Sequence, residues 1–142
     1  MPFTGPIEDR MLIRERMSAY ADSMFSQDLE GWLSHFADDV DWRFGENTMK
    51  GKDELRASWP NLWIPLKAMG YFTEVASIEV EGDRARAKCY SRQIMFRKDG
   101  TVAKMVGLYK DELVKQGGEW LFAAREFVLI GQEPDGAMPA GD

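Results

Sequence analysis

The chain has 142 residues, 18 of them basic and 24 acidic, for a formal net charge of −6. At 44% hydrophobic and 30% charged, the composition is that of one globular domain and excludes disordered, collagen-like and repeat architectures. One cysteine, Cys89, and one histidine, His35, exclude an internal disulfide, a cysteine zinc cluster and any metal site drawing two histidines from one chain.

The acidic balance argues against nucleic-acid binding, which needs a basic face. No apolar run approaches the length of a membrane span, and no basic stretch precedes an apolar one. The expectation is a cytoplasmic protein without membrane contact, with neither cofactor nor metal.

In chain order, Met1 to Pro6 is a loose lead-in. From Ile7 to Ser26 the apolar residues Ile13, Met17, Tyr20, Ala21 and Met24 recur at helical steps. Asp28 is placed to cap a second, shorter helix carrying Leu29, Trp32, Leu33 and Phe36, which Asp38 and Asp39 should end. Val40, Trp42 and Phe44 alternate with Asp41 and Arg43, predicting a short strand. Gly45 to Gly51 reads as a loop. Asp53 can cap a third helix that Pro60 breaks or restarts.

From Tyr71 onward the period changes. Turn signals at Glu81-Gly82-Asp83, Lys98-Asp99-Gly100 and Gln116-Gly117-Gly118 separate strand-like runs, which predicts a four-stranded antiparallel meander. Helices followed by such a sheet give an α+β fold. The expected architecture is a curved antiparallel sheet wrapped around a long N-terminal helix with two shorter helices, a cystatin-like α+β roll. Because one helix cannot fill a strongly bent sheet, a cone-shaped cavity is expected between them. Residues 1–132 should form this domain, and the Pro/Gly-rich acidic stretch 133–142 a flexible tail.

Three segments carry a resemblance to a known family. They are Tyr20 with Asp28 and LEGWLSHFADDVDW, then GKDELRASW, then GLYKDELVKQGGEWLFAAREF. Together they resemble the SnoaL-like branch of the nuclear-transport-factor-2-like superfamily, with scytalone-dehydratase-like and ketosteroid-isomerase-like members. The resemblance implies an apolar cone holding a hydrophobic small molecule. It also implies departures. Phe25 stands where many members carry an acid, and the stretch Gly70 to Phe72 lacks the dehydratase histidine. The steroid-isomerase base falls on Phe44, its second acid falls near Tyr109, and only Tyr20 matches that family's tyrosine.

Registration against the last hairpin puts Gly107, Tyr109, Asp111 and Leu113 on one strand face and Ala123, Arg125 and Phe127 on the next. The resemblance implies that this face lines the pocket, as it does in the dehydratases, with Tyr20 reaching in from the first helix; Asp111, Tyr20, Tyr109 and Arg125 are the candidate catalytic residues on that basis. In that reading Asp111 moves a proton, the phenols bind the substrate oxygen, and Arg125 holds charge. Equally, Asp111 and Arg125 can form a structural pair, and Tyr20 and Tyr109 can be core tyrosines. Met24, Phe25, Trp42, Phe44, Trp59, Trp63, Met95, Gly107 and Phe127 are the expected pocket residues, with Trp59 and Trp63 closing the mouth.

His35 reads as a surface or edge residue and Cys89 as a buried structural thiol. Tyr90, Ile94 and Phe96 on the outer sheet face predict a homodimer. The function expected is cofactor-free proton transfer on a hydrophobic carbonyl compound, of lyase, isomerase or cyclase type. The alternative is hydrophobic-ligand binding without chemistry on the same fold.

Overall fold

The helical period that starts at Ile7 runs unbroken to Ser26, forming α1 in the computed structural model, which describes residues 2–134. Its first turn carries Glu8 and Asp9, where carboxylates meet the positive end of the helix dipole. Asp9 Oδ1 also accepts from Trp120 Nε1 at 3.0 Å and from Lys115 Nζ at 3.1 Å, tying the helix start to the last hairpin. Ile13, Met17, Tyr20, Ser23 and Met24 form the buried face. The helix ends at Gln27, whose φ of 54° is left-handed. The Asp28 N–H turns back to the Ser23 carbonyl at 3.0 Å, a terminus that satisfies an otherwise orphaned acceptor.

Asp28 caps α2 (Leu29–Leu33) as predicted, accepting from the Gly31 N–H at 3.0 Å. A Cβ at Gly31 would stand 2.3 Å from the Asp28 carboxylate, so the cap requires glycine there. α2 is shorter than expected. It stops at Leu33, and β2 (Phe36–Phe44) takes up Phe36, Asp38 and Asp39. The register of β2 shifts between Phe36 and Asp41. The period-two alternation is broken there, which is why only the part from Val40 onward was legible.

Asn47–Lys50 is a further short strand, β3, where a loop was expected. It pairs antiparallel with β2. α3 (Gly51–Trp63) follows with Lys50, not Asp53, at its cap position. Pro60 lies inside α3 without ending it, and the Ile64 N–H still reaches the Pro60 carbonyl at 2.8 Å.

The predicted meander is present as β4 (Leu66–Glu81), β5 (Arg84–Arg97), β6 (Val102–Gln116) and β7 (Glu119–Glu133). β2 runs parallel beside β7, and the two-residue β1 (Phe3–Thr4) lies parallel to β4, giving the sheet order β1-β4-β5-β6-β7-β2-β3. Register shifts at Val75/Ser77, Val106/Gly107 and Glu112/Leu113 bend the long strands. The bent sheet wraps α1, and the core lies between them, from Ile13 and Leu55 to Phe122 and Trp120. Residues 135–142, most of the predicted tail, lie outside the described residues.

Candidate functional site

Towards the C-terminal end of α1 the concave sheet face and the helices leave a cavity of about 300 Å³. α1 contributes Tyr20 and Met24, and α2 contributes Trp32. The β2–β3 hairpin contributes Trp42, Phe44, Asn47 and Met49, and α3 contributes Ser58, Trp59, Asn61 and Leu62. Met69, Tyr71, Gln93, Met105, Tyr109 and Phe127 come from the long strands. Residues an even number apart on a strand share a face, as Met69 and Tyr71 do on β4 and Met105 and Tyr109 on β6. Apart from the phenols, the indole nitrogens and Asn47, Ser58, Asn61 and Gln93, the lining is hydrocarbon and thioether, and among the described residues that form it there is no Asp, Glu, Lys, Arg or His.

Three phenols converge there. The Tyr20 and Tyr71 ring centroids are 5.7 Å apart, and those of Tyr71 and Tyr109 are 6.4 Å apart. Gln93 Nε2 donates to Tyr109 Oη and to Ser91 Oγ, each at 3.3 Å. Tyr71 Oη lies beside Tyr109 but has no partner in hydrogen-bonding geometry. Burial pushes the Tyr71 phenol well above its ordinary value, with Tyr109 adding to the shift. Burial likewise pushes Tyr109 up, against the opposing pull of Arg125. Both are therefore neutral donors at physiological pH, not bases. The indole nitrogens of Trp32 and Trp42 are also buried without a partner.

Asp111 and Arg125 do come together, paired across β6 and β7. Arg125 Nε donates to Asp111 Oδ1 at 2.7 Å and Nη2 to Oδ2 at 3.1 Å. The side chains are 0% and 2% exposed, respectively. The rings of Tyr109, Phe122 and Tyr20 pack round the guanidinium, their centroids 3.8, 4.4 and 4.5 Å from its carbon. Burial pushes the Asp111 carboxyl up while Arg125 works against it. The two-point bond supplies the compensation that a buried charge requires. Neither residue lines this cavity, from which the phenols of Tyr20 and Tyr109 separate the pair, although both border a wider polar depression with Arg86, Lys88, Lys110 and Glu126.

Of the expected pocket residues, Met24, Trp42, Phe44, Trp59 and Phe127 line the cavity. Phe25 does not. It is 47% exposed on the last turn of α1 and meets Phe72 edge-on at 5.4 Å. Trp63 is buried behind Trp59, their rings 5.6 Å apart, so it backs the mouth without lining it. Met95 is core. Gly107 lies beneath the Phe127 ring, which stacks on Phe44 at 5.3 Å and 11°. Ala123 is half-buried, and the register shift at Glu112/Leu113 turns Phe122 inward beside it.

Sequence reasoning missed Tyr71 and Gln93. The signal was available: placing Tyr90 and Ile94 outward forces Ser91, Gln93 and Met95 inward on β5. Tyr71 follows Met69 in the same way on β4.

His35 is a correction. It is buried, not at a surface, and joins α1 to the start of β2. Arg16 Nη1 lies 3.0 Å from His35 Nδ1 and can only donate, so Nδ1 accepts. Nε2 then carries the proton and donates to Ser23 Oγ at 3.0 Å. Burial, and next the Arg16 charge, lower the imidazole from 6.5 to about 4. Cys89 is buried, as expected, and burial pushes its thiol up.

The SnoaL-like domain family matches residues 6–126. No curated protein matches the chain. Among solved structures, a protein provisionally named scytalone dehydratase from Novosphingobium aromaticivorans superposes with a TM-score of 0.86 at 18% identity, covering 95% of this chain and 93% of its own. A cystatin-like protein of unknown function from Nostoc punctiforme gives 0.75 at 25% identity, covering 91% and 95%. The hexachlorocyclohexane dehydrochlorinase LinA-type3 from Novosphingobium barchaimii gives 0.80 at 16% identity, covering 94% of each. Likeness at these identities speaks to the fold, which these structures share with this chain.

Proposed function

We propose that this chain, which belongs to the SnoaL-like family, binds a hydrophobic carbonyl compound in its cone and acts on it without a cofactor, by proton transfer of lyase or isomerase type. The observation that carries the reading is the convergence of Tyr20, Tyr71 and Tyr109 in a cavity lined mainly by Trp, Phe, Met and Leu side chains. A carbonyl oxygen bound by neutral phenols is polarised, and the contact strengthens as negative charge develops on that oxygen. Desolvation by the surrounding Trp and Met side chains strengthens it further. Asp111 has no place in this version, since Arg125 occupies both its oxygens; the proton leaving the carbon next to the carbonyl passes to a water molecule admitted to the cone and is returned from water, while the phenols hold the enolate oxygen.

The test is hydrogen exchange. The protein is incubated in heavy water with a panel of aryl methyl ketones, and deuterium at the carbon next to the carbonyl is followed by NMR. Exchange faster than in buffer, and slowed by Tyr71→Phe or Tyr109→Phe, supports the reading. Saturable binding with no exchange across the panel contradicts the proton-transfer step.

Ligand binding without chemistry is the second reading. It is favoured by a specific observation: among the described residues lining the cavity there is no carboxylate or imidazole.

A second copy of the chain is the partner we propose, in the cytoplasm. On the outer sheet face Tyr90, Leu108 and Val128 stand in register across β5, β6 and β7. Val106 and Ile130 extend this exposed apolar area. The neighbouring charged half neutralises itself through Arg86–Glu79, Lys110–Glu126 and Arg43–Asp41. Light scattering should give twice the chain mass, and Val106→Lys should halve it. A monomer at all concentrations contradicts the dimer. Among the described residues no helix is long and apolar enough to cross a membrane.

A further inference from the structure

We infer that the cone is selective for neutral ligands and rejects carboxylates, because the one cation behind its phenols is already neutralised by Asp111. The inference rests on the reading that the cone binds small molecules, and it specifies their charge.

A carboxylate entering this cavity would lose its water and find no compensating cation. Among the described residues its lining contains phenols, indoles, amides, one aliphatic hydroxyl, thioethers and hydrocarbons, but no lysine, arginine or histidine. Burying an unpaired charge among such groups is strongly unfavourable, whereas a carbonyl or ether oxygen needs only one hydrogen bond. The nearest guanidinium, Arg125, is held on its Nε–Nη2 edge by Asp111 at 2.7 and 3.1 Å. The rings of Tyr109, Phe122 and Tyr20 cover it. The positive charge is thus offset by a carboxylate supplied by the protein itself, leaving none for a ligand.

The same geometry makes Asp111 a determinant of ligand charge, although it does not touch the ligand. With its carboxylate replaced by a neutral group, the Arg125 charge would no longer be balanced. Of the three rings over that charge, those of Tyr109 and Tyr20 line the cavity and separate it from a ligand. An anionic ligand would then gain an attraction that the native protein withholds.

The experiment uses three probes that share one ring system: naphthalene, 2-acetylnaphthalene and 2-naphthoate. Each is titrated at pH 7 into the intact chain and followed by quenching of tryptophan fluorescence, since Trp32, Trp42 and Trp59 line the cavity. The expected order is 2-acetylnaphthalene first, then naphthalene, with 2-naphthoate weakest by at least about 30-fold relative to the ketone. In Asp111→Asn the gap between ketone and naphthoate should close by about 10-fold or more.

Equal or tighter binding of naphthoate by the native chain overturns the charge selectivity while leaving the small-molecule reading intact. Failure of all three probes to bind removes that reading and the selectivity with it. If Asp111→Asn does not fold, the native ranking alone decides. If it folds and the gap is unchanged, Asp111 is not the determinant.

Discussion

Gly107 sits directly under the ring of Phe127: a Cβ built on it would stand 2.1 Å from Phe127 Cε2. The absent side chain lets Phe127 lie against β6 and stack on Phe44 at 5.3 Å. Two strands and the β2–β3 hairpin are thereby joined into one side of the cavity. Gly107→Ala must displace the ring, and the open direction is into the cone. The variant should lose about 1–3 kcal/mol of stability, as overpacking does. It should also bind 2-acetylnaphthalene at least about 10-fold more weakly. Thermal melts and fluorescence titration check both. Unchanged affinity would mean that Phe127 does not shape the site.

Removing one partner of a buried ion pair leaves the other charge uncompensated. Asp111→Ala and Arg125→Met should each cost about 3–5 kcal/mol in urea unfolding. The double variant should cost clearly less than the sum of the two. Additive costs would show that the bond between β6 and β7 contributes little.

The single histidine gives an unambiguous titration signal. With His35 at about 4 in the folded chain against 6.5 ordinarily, the unfolded state binds the extra proton between those values. The His35 contribution is therefore fully present above about 6.5 and is lost as the pH falls towards 4, at a slope of at most about 1.4 kcal/mol per pH unit. The imidazole NMR resonances of the untagged chain should stay at their neutral positions down to pH 5. A midpoint near 6.5 would contradict the buried Arg16–His35–Ser23 arrangement.

Phe25 and Trp59 separate exposed aromatics from lining ones. Phe25→Ala should leave probe affinity within about 2-fold, because only Phe72 loses a ring contact. Trp59→Ala should weaken binding by at least about 10-fold, because it strips the mouth of apolar area. The opposite ranking would relocate the site.

Much of the fold was legible because its signals are local. The helical step from Ile13 to Met24, the Asp28 cap and the glycine turns of the meander each act over a few residues. Where β2 begins was not legible, since its irregular register against β7 hides the alternation that announces a strand. The site was half legible. Strand parity placed Tyr109, Asp111 and Arg125 inward, but parity does not say which inward group reaches open space. That depends on depth: the Tyr20 and Tyr109 rings, set by α1 and β6, cover the Asp111–Arg125 pair. His35 was misread because its partners, Arg16 and Ser23, lie far from it along the chain, about two turns apart on one face of α1.

The most direct measurement is the infrared carbonyl stretch of carbonyl-13C 2-acetylnaphthalene bound to the chain. A carbonyl held by the phenols of an apolar cone must absorb at lower frequency than in hydrocarbon solvent, and Tyr71→Phe with Tyr109→Phe must move the band back towards the hydrocarbon position. A bound carbonyl already absorbing at that position in the native chain would contradict the account.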